Sequence, residues 1–203
     1  METKVIKKNI FNLFNQATTE EITNGIQWYP ISNSFCKTIS LKYQVPISKV
    51  IAITAAFSPL KSWSTNQKMV IQFFENRKSL HTKSQTQKVM EIFLLILDNY
   101  TEEELDDKIM KILNGKKTSS FYHNIKYPYT SSKVTIDSHI IKGIVNSNIK
   151  TLSPKNYVLV EKTILDTSKK LNYKGLHLQA ILWLTHKRLK ASNNVSNHLY
   201  YGK

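Results

Sequence analysis

The sequence predicts an all-α protein of about nine or ten helices, and three observations lead to this prediction. Only five glycines and five prolines occur in 203 residues, which is too few for the many turns of an all-β sandwich. Hydrophobic residues make up 41% of the chain, a share that is ordinary for a globular protein. Apolar residues recur at helical spacing along most of the chain, and no segment shows the convincing alternation of a strand.

The first predicted helices follow from capping and periodicity. Thr18 and Glu21 form a capping box, which predicts a short helix that ends near Gly25. Apolar residues at helical spacing predict a second helix between Ile31 and Tyr43.

The next helices are separated by turn residues. Pro46 opens a helix that is apolar on nearly all sides and stops at Ser58, so we expect it to be the buried central helix. Ser64 is predicted to cap the helix that follows. Two more helices are predicted at about 84–98 and 102–113.

A turn then divides two helical runs in the middle of the chain. Thr101 and Glu104 form a second capping box, which opens the first of these runs. The turn dipeptide Asn114-Gly115 lies directly between the two runs. This order predicts a helix–hairpin–helix layout.

Three helices are predicted after a polar connector. Asp137 or Ser138 is expected to cap the first of them, and Ser153 opens a second helix that reaches about Leu171. Gly175 precedes the third, a strongly amphipathic helix. The tail, 191–203, is polar and predicted to be frayed.

Charge is spread unevenly along the chain. Residues 108–203 hold 17 Lys and Arg against three Asp and Glu, whereas residues 1–107 hold 12 against 11. Such an excess is typical of a protein that binds a polyanion, because each neutralised phosphate releases condensed counterions. Only two arginines occur, so we expect contacts between Lys and the phosphate backbone to dominate. A solvated, lysine-rich surface is the alternative, but biased composition would not spare the first half.

The composition also excludes several classes of protein. The single cysteine, Cys36, excludes disulfides, cysteine-based zinc sites and iron–sulfur clusters, and it indicates a reducing compartment. No apolar run approaches the roughly 18 residues of a membrane span, and no secretory leader is visible. We therefore expect a cytoplasmic monomer that binds no membrane, no metal and no cofactor.

Two features of the basic half point to chemistry. A glycine turn that feeds a helix start offers backbone N–H groups to an anion, and Lys116 and Lys117 beside Gly115 would strengthen a phosphate site there. Asp137 is one of only three acids in this half. A carboxylate in a cationic groove can stabilise an oxocarbenium-like sugar or accept a proton from a nucleophile. An ordinary loop and a plain N-cap aspartate are the structural alternatives.

The stretch LNGKKTSSFYHNI, followed by VTIDSHI, resembles the helix–hairpin–helix DNA glycosylases of the endonuclease III type. In that family a Gly-x-Lys-Thr hairpin is followed, after one helix and a connector, by Val-Asp-[Ser/Thr]-His. The resemblance covers about 50–145, including VIAITAAFSPLKSWSTNQKM upstream of the hairpin. There are two departures. Ile112-Leu113 stand where the family has Pro-Gly, and the cysteine cluster of its iron–sulfur members is absent.

The resemblance implies a single glycosylase-like domain over 1–203, with a base site in a cleft between two helical lobes. The hairpin lobe would span about 45–145, and the second lobe 1–44 plus 146–190. The implied reaction is excision of a damaged or modified base that is flipped out of double-stranded DNA. Asp137 would be the catalytic carboxylate. Lys117, or its neighbour Lys116, would be the amine whose Schiff base permits AP-lyase cleavage.

The remaining candidate residues fall into two groups. The first group would contact DNA and consists of Asn114, Gly115, Lys116, Thr118, Ser119 and His139. The second group would form the base pocket or the wedge that fills the gap in the duplex, and consists of Trp63, Ser58, Asn66, Trp28, Tyr29 and Gln179. A packed position in the core is the alternative for each aromatic residue.

Other functions remain open. Trp28-Tyr29, AAFSP and LQAILW resemble small phage and bacterial proteins that look like glycosylase relatives. This likeness favours a modified base in viral DNA, attacked in defence against a phage or processed by the phage itself. It also allows a phage-type enzyme that hypermodifies a base on the same fold. A non-catalytic DNA-binding module would use only the hairpin, and an RNA-binding structural protein would draw on charge alone.

Overall fold

A computed structural model describes residues 2–76, 83–95, 100–145 and 148–201. Within these ranges the protein is all-α, as predicted, with ten α-helices, one π-helical segment and no strand. The elements are α1 (Thr3–Phe14), α2 (Thr19–Tyr43), α3 (Ile47–Phe57), α4 (Trp63–Asn76), α5 (Lys83–Leu94), α6 (Glu102–Leu113), α7 (Lys116–Lys126), α8 (Ser138–Ile140), the π-helical segment (Ile141–Val145), α9 (Pro154–Lys170) and α10 (Gly175–Tyr201).

Local capping fixes several helix starts where the sequence predicted them. Thr101 Oγ1 accepts the N–H of Glu104 at 3.3 Å, and the Glu104 carboxylate accepts the N–H of Thr101 at 2.8 Å. Thr18 and Glu21 form the same reciprocal box before α2. The hydroxyl of Ser153 accepts an N–H from the first turn of α9. These caps satisfy N–H groups that a helix start otherwise leaves unpaired.

The prediction for α2 was wrong. A short helix ending near Gly25 and a second helix from Ile31 were expected, but one helix, Thr19–Tyr43, continues through both Gly25 and Pro30. Gly25 serves packing, because a Cβ there would lie 2.4 Å from Cγ1 and 2.8 Å from the backbone N of Ile181 in α10. Pro30 removes one helical N–H donor, and the buried residues on both sides of it offset that loss.

Three helix boundaries also differ from the prediction. Ser62, not Ser64, caps α4, since its hydroxyl accepts the N–H of Thr65 at 3.2 Å. Helix α5 ends at Leu94, short of the expected end near 98, and 96–99 lie outside the described residues. Helix α10 continues to Tyr201 because no glycine or proline interrupts it, so the tail is helical rather than frayed up to that residue.

The chain divides into two compact units, one formed by 1–28 with 132–203 and the other by 29–131. In the first unit, α1 packs against α9, α10 and the π-helical segment around a core of isoleucine, leucine and valine side chains. In the second unit, α3 contacts α4, α5, α6 and α7, and nearly every residue of α3 is buried. The predicted buried central helix is therefore confirmed. No helix in the described ranges combines the length and apolar character needed to span a membrane.

Candidate active site

The hairpin between α6 and α7 belongs to the 29–131 unit. Asn114 follows α6 in the left-handed conformation, with φ 46° and ψ 48°, and Gly115 is extended, with φ −171°. The predicted glycine turn is therefore an asparagine turn, because Asn adopts left-handed backbone more readily than most residues. Gly115 is the N-cap residue of α7, where a Cβ would be tightly placed. A Cβ there would meet only Thr118 Oγ1, at 3.2 Å, and the Leu113 carbonyl oxygen, at 3.9 Å, within 4 Å.

A cavity of about 360 Å³ lies against this hairpin. The hairpin residues that line it are Asn114, Gly115, Lys117 and Thr118. Lys88 of α5 also lines it, and its Nζ donates to the carbonyl oxygen of Leu113 at 2.7 Å. Lys116 is not among the lining residues. The positive end of the α7 dipole and two ammonium groups make this cavity a favourable setting for a phosphate.

Two of the predicted pocket residues lie in the core of the 29–131 unit. Tyr29 is 1% exposed, and its ring packs edge-on against Phe121. Asn66 is 2% exposed and donates to the carbonyl oxygen of Thr54 at 3.0 Å. Its Oδ1 is a buried atom without a hydrogen-bond partner in the described part of the chain. Neither side chain is at the surface, where DNA would meet it.

The loop between α3 and α4 holds the other predicted residues of this unit. The hydroxyl of Ser58 donates to the carbonyl oxygen of Ala55, at the C-terminal end of α3. Trp63 is the first residue of α4, is half-buried, and packs edge-on against Phe35 with ring centroids 5.6 Å apart. Ser58 and Trp63 were predicted to belong to the base pocket or the wedge, and in the structure both make contacts within their own unit.

Leu60, in the same loop, was missed by sequence reasoning. It is 96% exposed and has a left-handed φ of 61°. Its neighbour Pro59 lines the hairpin cavity. A leucine in this conformation is strained, and folding gains nothing from a side chain left in water. Leu60 therefore combines a strained backbone with an almost fully exposed apolar side chain.

Asp137 lies in the other unit, at the N-cap of α8, so the predicted cap is confirmed for this residue. Its Oδ1 accepts the N–H groups of His139 at 2.9 Å and Ile140 at 3.0 Å. Its Oδ2 accepts Nε1–H of Trp183, from α10, at 3.0 Å. Three donors therefore hold a half-buried carboxylate in one orientation.

An aromatic ring and a cation pack against the indole that binds this carboxylate. Trp28 packs against Trp183 with ring centroids 4.7 Å apart, and Nζ of Lys187 lies 4.2 Å from the centre of the Trp183 ring. Two of the predicted residues, Trp28 and His139, are thus brought to the same cluster as Asp137. Gln179 lies one turn before Trp183 in α10 and is buried.

Two histidines complete the cluster. Nδ1 of His139 and Nδ1 of His186 lie 3.2 Å apart, so the N–H of one ring donates a hydrogen bond to the ring nitrogen of the other. Burial lowers the pKa of both imidazoles. The charge of Asp137 opposes this lowering, and the charges of Lys142 and Lys190 add to it. No three His, Cys, Asp or Glu side chains in the described ranges are grouped so that they could hold a metal ion.

Sequence reasoning missed Trp183, His186 and Lys187. They stand at positions i, i+3 and i+4 of α10, so they share one face of the helix. The sequence signal that could have identified them is this combination of an aromatic residue, an imidazole and a cation on one helix face.

A family model matches residues 1–190, and the chain belongs to that family, DUF7178, which is described as a family of unknown function. No curated protein and no solved structure matches the chain.

The histidine pair makes stability depend on pH. Because burial holds the pKa of His139 and His186 below the ordinary 6.5, the unfolded chain binds protons first as the pH falls. We expect the free energy of unfolding to be greatest above pH 6.5 and to decrease as the pH drops below it. His186→Asn should make this decrease shallower, measured by chemical denaturation between pH 5 and pH 8.

Burial also lowers the pKa of His177, which will account for part of the decrease that remains. An unfolding free energy that falls as steeply in His186→Asn as in the unmodified protein would contradict the assignment.

Proposed function

We propose that the protein is a DNA glycosylase, which flips a damaged or modified base out of double-stranded DNA and cleaves its bond to C1′ of the sugar. The observation that carries the proposal is the environment of Asp137. This carboxylate is one of three acids in the basic half of the chain, and three N–H donors orient it among aromatic and cationic side chains. The resemblance to helix–hairpin–helix glycosylases also implies that Asp137 is the catalytic carboxylate.

Asp137 would act on the sugar. As the base leaves, positive charge develops at C1′, and a fixed carboxylate stabilises it while accepting a proton from the attacking nucleophile. Trp28 is half-buried beside this group and offers a ring on which an everted base can stack. Lys187 and the exposed Lys142 and Lys190 supply positive charge for the backbone phosphates.

The hairpin would hold a phosphate. The N-terminus of α7 lies beside the cavity that Gly115, Lys117 and Thr118 line. Backbone N–H groups at a helix start, together with the helix dipole, attract an anion independently of base sequence. This mode of binding suits a chain that has only two arginines to read base edges.

Leu60 fits the wedge role better than Trp63. An apolar wedge must leave the protein surface and enter the base stack, and Leu60 is almost fully exposed while Trp63 packs against Phe35. Leu60 also follows Pro59, which lines the cavity beside the hairpin, so the loop and the phosphate site are neighbours.

Asp137→Asn tests the proposed catalytic role. The amide oxygen of Asn can still cap α8, but it is too weak a base to accept the proton, so base release should fall by about 10²–10⁴-fold. DNA affinity should be unchanged or higher, because a negative charge is removed. The assay incubates the protein with damaged oligonucleotides and several modified phage DNAs, detects free base, and measures affinity separately.

Asp166→Asn is the matched control, since it removes an exposed carboxylate from the same basic half. It should leave base release unchanged. Base release at the unmodified rate from Asp137→Asn would refute the proposed role. A base altered in place would instead indicate a modifying enzyme, and tight DNA binding with no product from any substrate would indicate a binding module.

Lys117→Ala tests whether the reaction proceeds through a covalent intermediate. If Nζ of Lys117 attacks C1′, the C1′–base bond breaks and the base departs as it takes up a proton. The C1′–O4′ bond then opens with protonation of O4′, which leaves a Schiff base that is trapped when borohydride reduces it. We expect a protein–DNA adduct that Lys117→Ala eliminates and that Lys116→Ala retains, because Lys117 lines the cavity and Lys116 does not. The measurement is a denaturing gel of borohydride-treated reactions.

An adduct that survives in Lys117→Ala and disappears in Lys116→Ala would move the amine to the neighbouring residue. Base release without any adduct would indicate that Asp137 activates water instead.

Leu60→Asn tests the wedge. Asparagine tolerates the left-handed backbone of Leu60, so the loop should keep its conformation and lose only the apolar side chain. Base release from duplex DNA should fall about tenfold. This corresponds to about 1.4 kcal/mol of unstacking cost that the Leu60 side chain would no longer offset. Release from single-stranded DNA, where no gap needs filling, should not change.

Leu41→Asn is the control for this substitution, since Leu41 is another leucine of the same unit that is 71% exposed. It should behave as the unmodified protein on both substrates. An equal loss on duplex and single-stranded DNA in Leu60→Asn would overturn the wedge role.

A further inference from the structure

We infer that Trp183 is a positioning residue for Asp137, an inference that rests on the proposed function. The backbone N–H groups of α8 bind Oδ1 of the carboxylate, and the indole Nε1–H of Trp183 binds Oδ2 at 3.0 Å. The two residues are 46 positions apart in the sequence. The helix start alone fixes one oxygen, and the indole is required to fix the second.

The indole is itself held in place by its neighbours. Trp28 packs against it, and Nζ of Lys187, one turn further along α10, lies over its ring. Trp183 is also anchored through its backbone in α10, whose neighbouring residues Leu182 and Ile181 are fully buried. Because these contacts do not involve the carboxylate, Trp183 is a donor whose direction is set in advance.

A fixed donor at Oδ2 has a chemical consequence. Each carboxylate oxygen has about two acceptor positions, and Asp137 already uses three of its four. The position that remains, on Oδ2, must face the sugar or the nucleophile if Asp137 is to act. Loss of the indole N–H would let Oδ2 turn, so fewer molecules would have the productive orientation, while an aromatic ring kept at position 183 would still support Lys187, which we propose to bind phosphate.

Trp183→Phe tests this inference, because it keeps an aromatic ring and removes the N–H donor. We expect the single-turnover rate constant of base release to fall about 10–100-fold, as when other orienting partners of a reactive group are removed. The protein concentration that gives half-saturation with DNA should stay nearly constant. A structural role alone would lower the rate and the affinity together.

Tyr173→Leu is the matched control, since it removes a half-buried ring of the same unit that packs on Phe14, with centroids 5.5 Å apart. Its rate constant should equal that of the unmodified protein. Base release at the unmodified rate in Trp183→Phe, or a parallel loss of rate and affinity, would overturn the positioning role.

Hydrogen exchange of the indole N–H of Trp183, followed by NMR, tests the same contact without any enzymatic assay. Exchange should be slow in the unmodified protein and about tenfold or more faster in Asp137→Ser, which keeps an N-cap oxygen but has no second oxygen for the indole. Asp166→Ser should exchange at the unmodified rate.

The two measurements separate the two proposals. If no DNA substrate releases a base, the proposed function fails, and an exchange rate that depends on Asp137 still shows that Trp183 holds this carboxylate. Equal exchange in Asp137→Ser and in the unmodified protein overturns the positioning role, whatever the activity.

Discussion

The hydrogen bonds of one carboxylate connect three parts of the unit formed by 1–28 and 132–203. Asp137 ends the extended segment before α8, caps α8 itself, and binds α10 through Trp183. The segment that leads to it is fixed by Tyr157, whose hydroxyl donates to the carbonyl oxygen of Val134 at 3.0 Å and accepts the N–H of Ile136 at 3.2 Å. A carboxylate fixed at both oxygens, on a fixed backbone, has little freedom left to lose when a substrate binds, which is what electrostatic catalysis requires.

In the 29–131 unit, a buried ion pair likewise connects two parts of the chain, helices α6 and α7. Lys126, near the end of α7, donates to Asp106 of α6 at 2.6 Å and pairs with Glu102 at 3.0 Å, and its side chain is 8% exposed. Tyr122 and Tyr127 donate to the same Asp106 carboxylate. Lys126 is therefore a lysine of the basic half that is not available to a polyanion. It joins α6 to α7 at the end away from the hairpin, so the turn that offers Lys117 is held at a defined angle.

Structural features that depend on neighbouring residues were predicted from the sequence, and features that depend on contacts between distant residues were missed. The caps at Thr18, Thr101 and Ser153 each join residues three positions apart, and all three are confirmed. Gly25 was taken for a helix end because its packing partner lies on α10, far along the chain. Trp183 was missed for the same reason. Nothing in the residues around it indicates a hydrogen bond to a carboxylate 46 positions earlier. Helical spacing located its helix, and only the folded chain brings its donor to Oδ2.

The π-helical segment gives a further reason to regard the surroundings of Asp137 as a functional site. Ile141–Val145 follows α8 directly, and π-helical turns are frequently found at functional sites. This segment buries Ile144 and presents Gly143 to His186, where a Cβ would lie 3.0 Å from Cδ2 of the imidazole. The π-helical turn therefore lies against the histidine pair, because the ring of His186 is hydrogen-bonded to His139 beside the capped carboxylate.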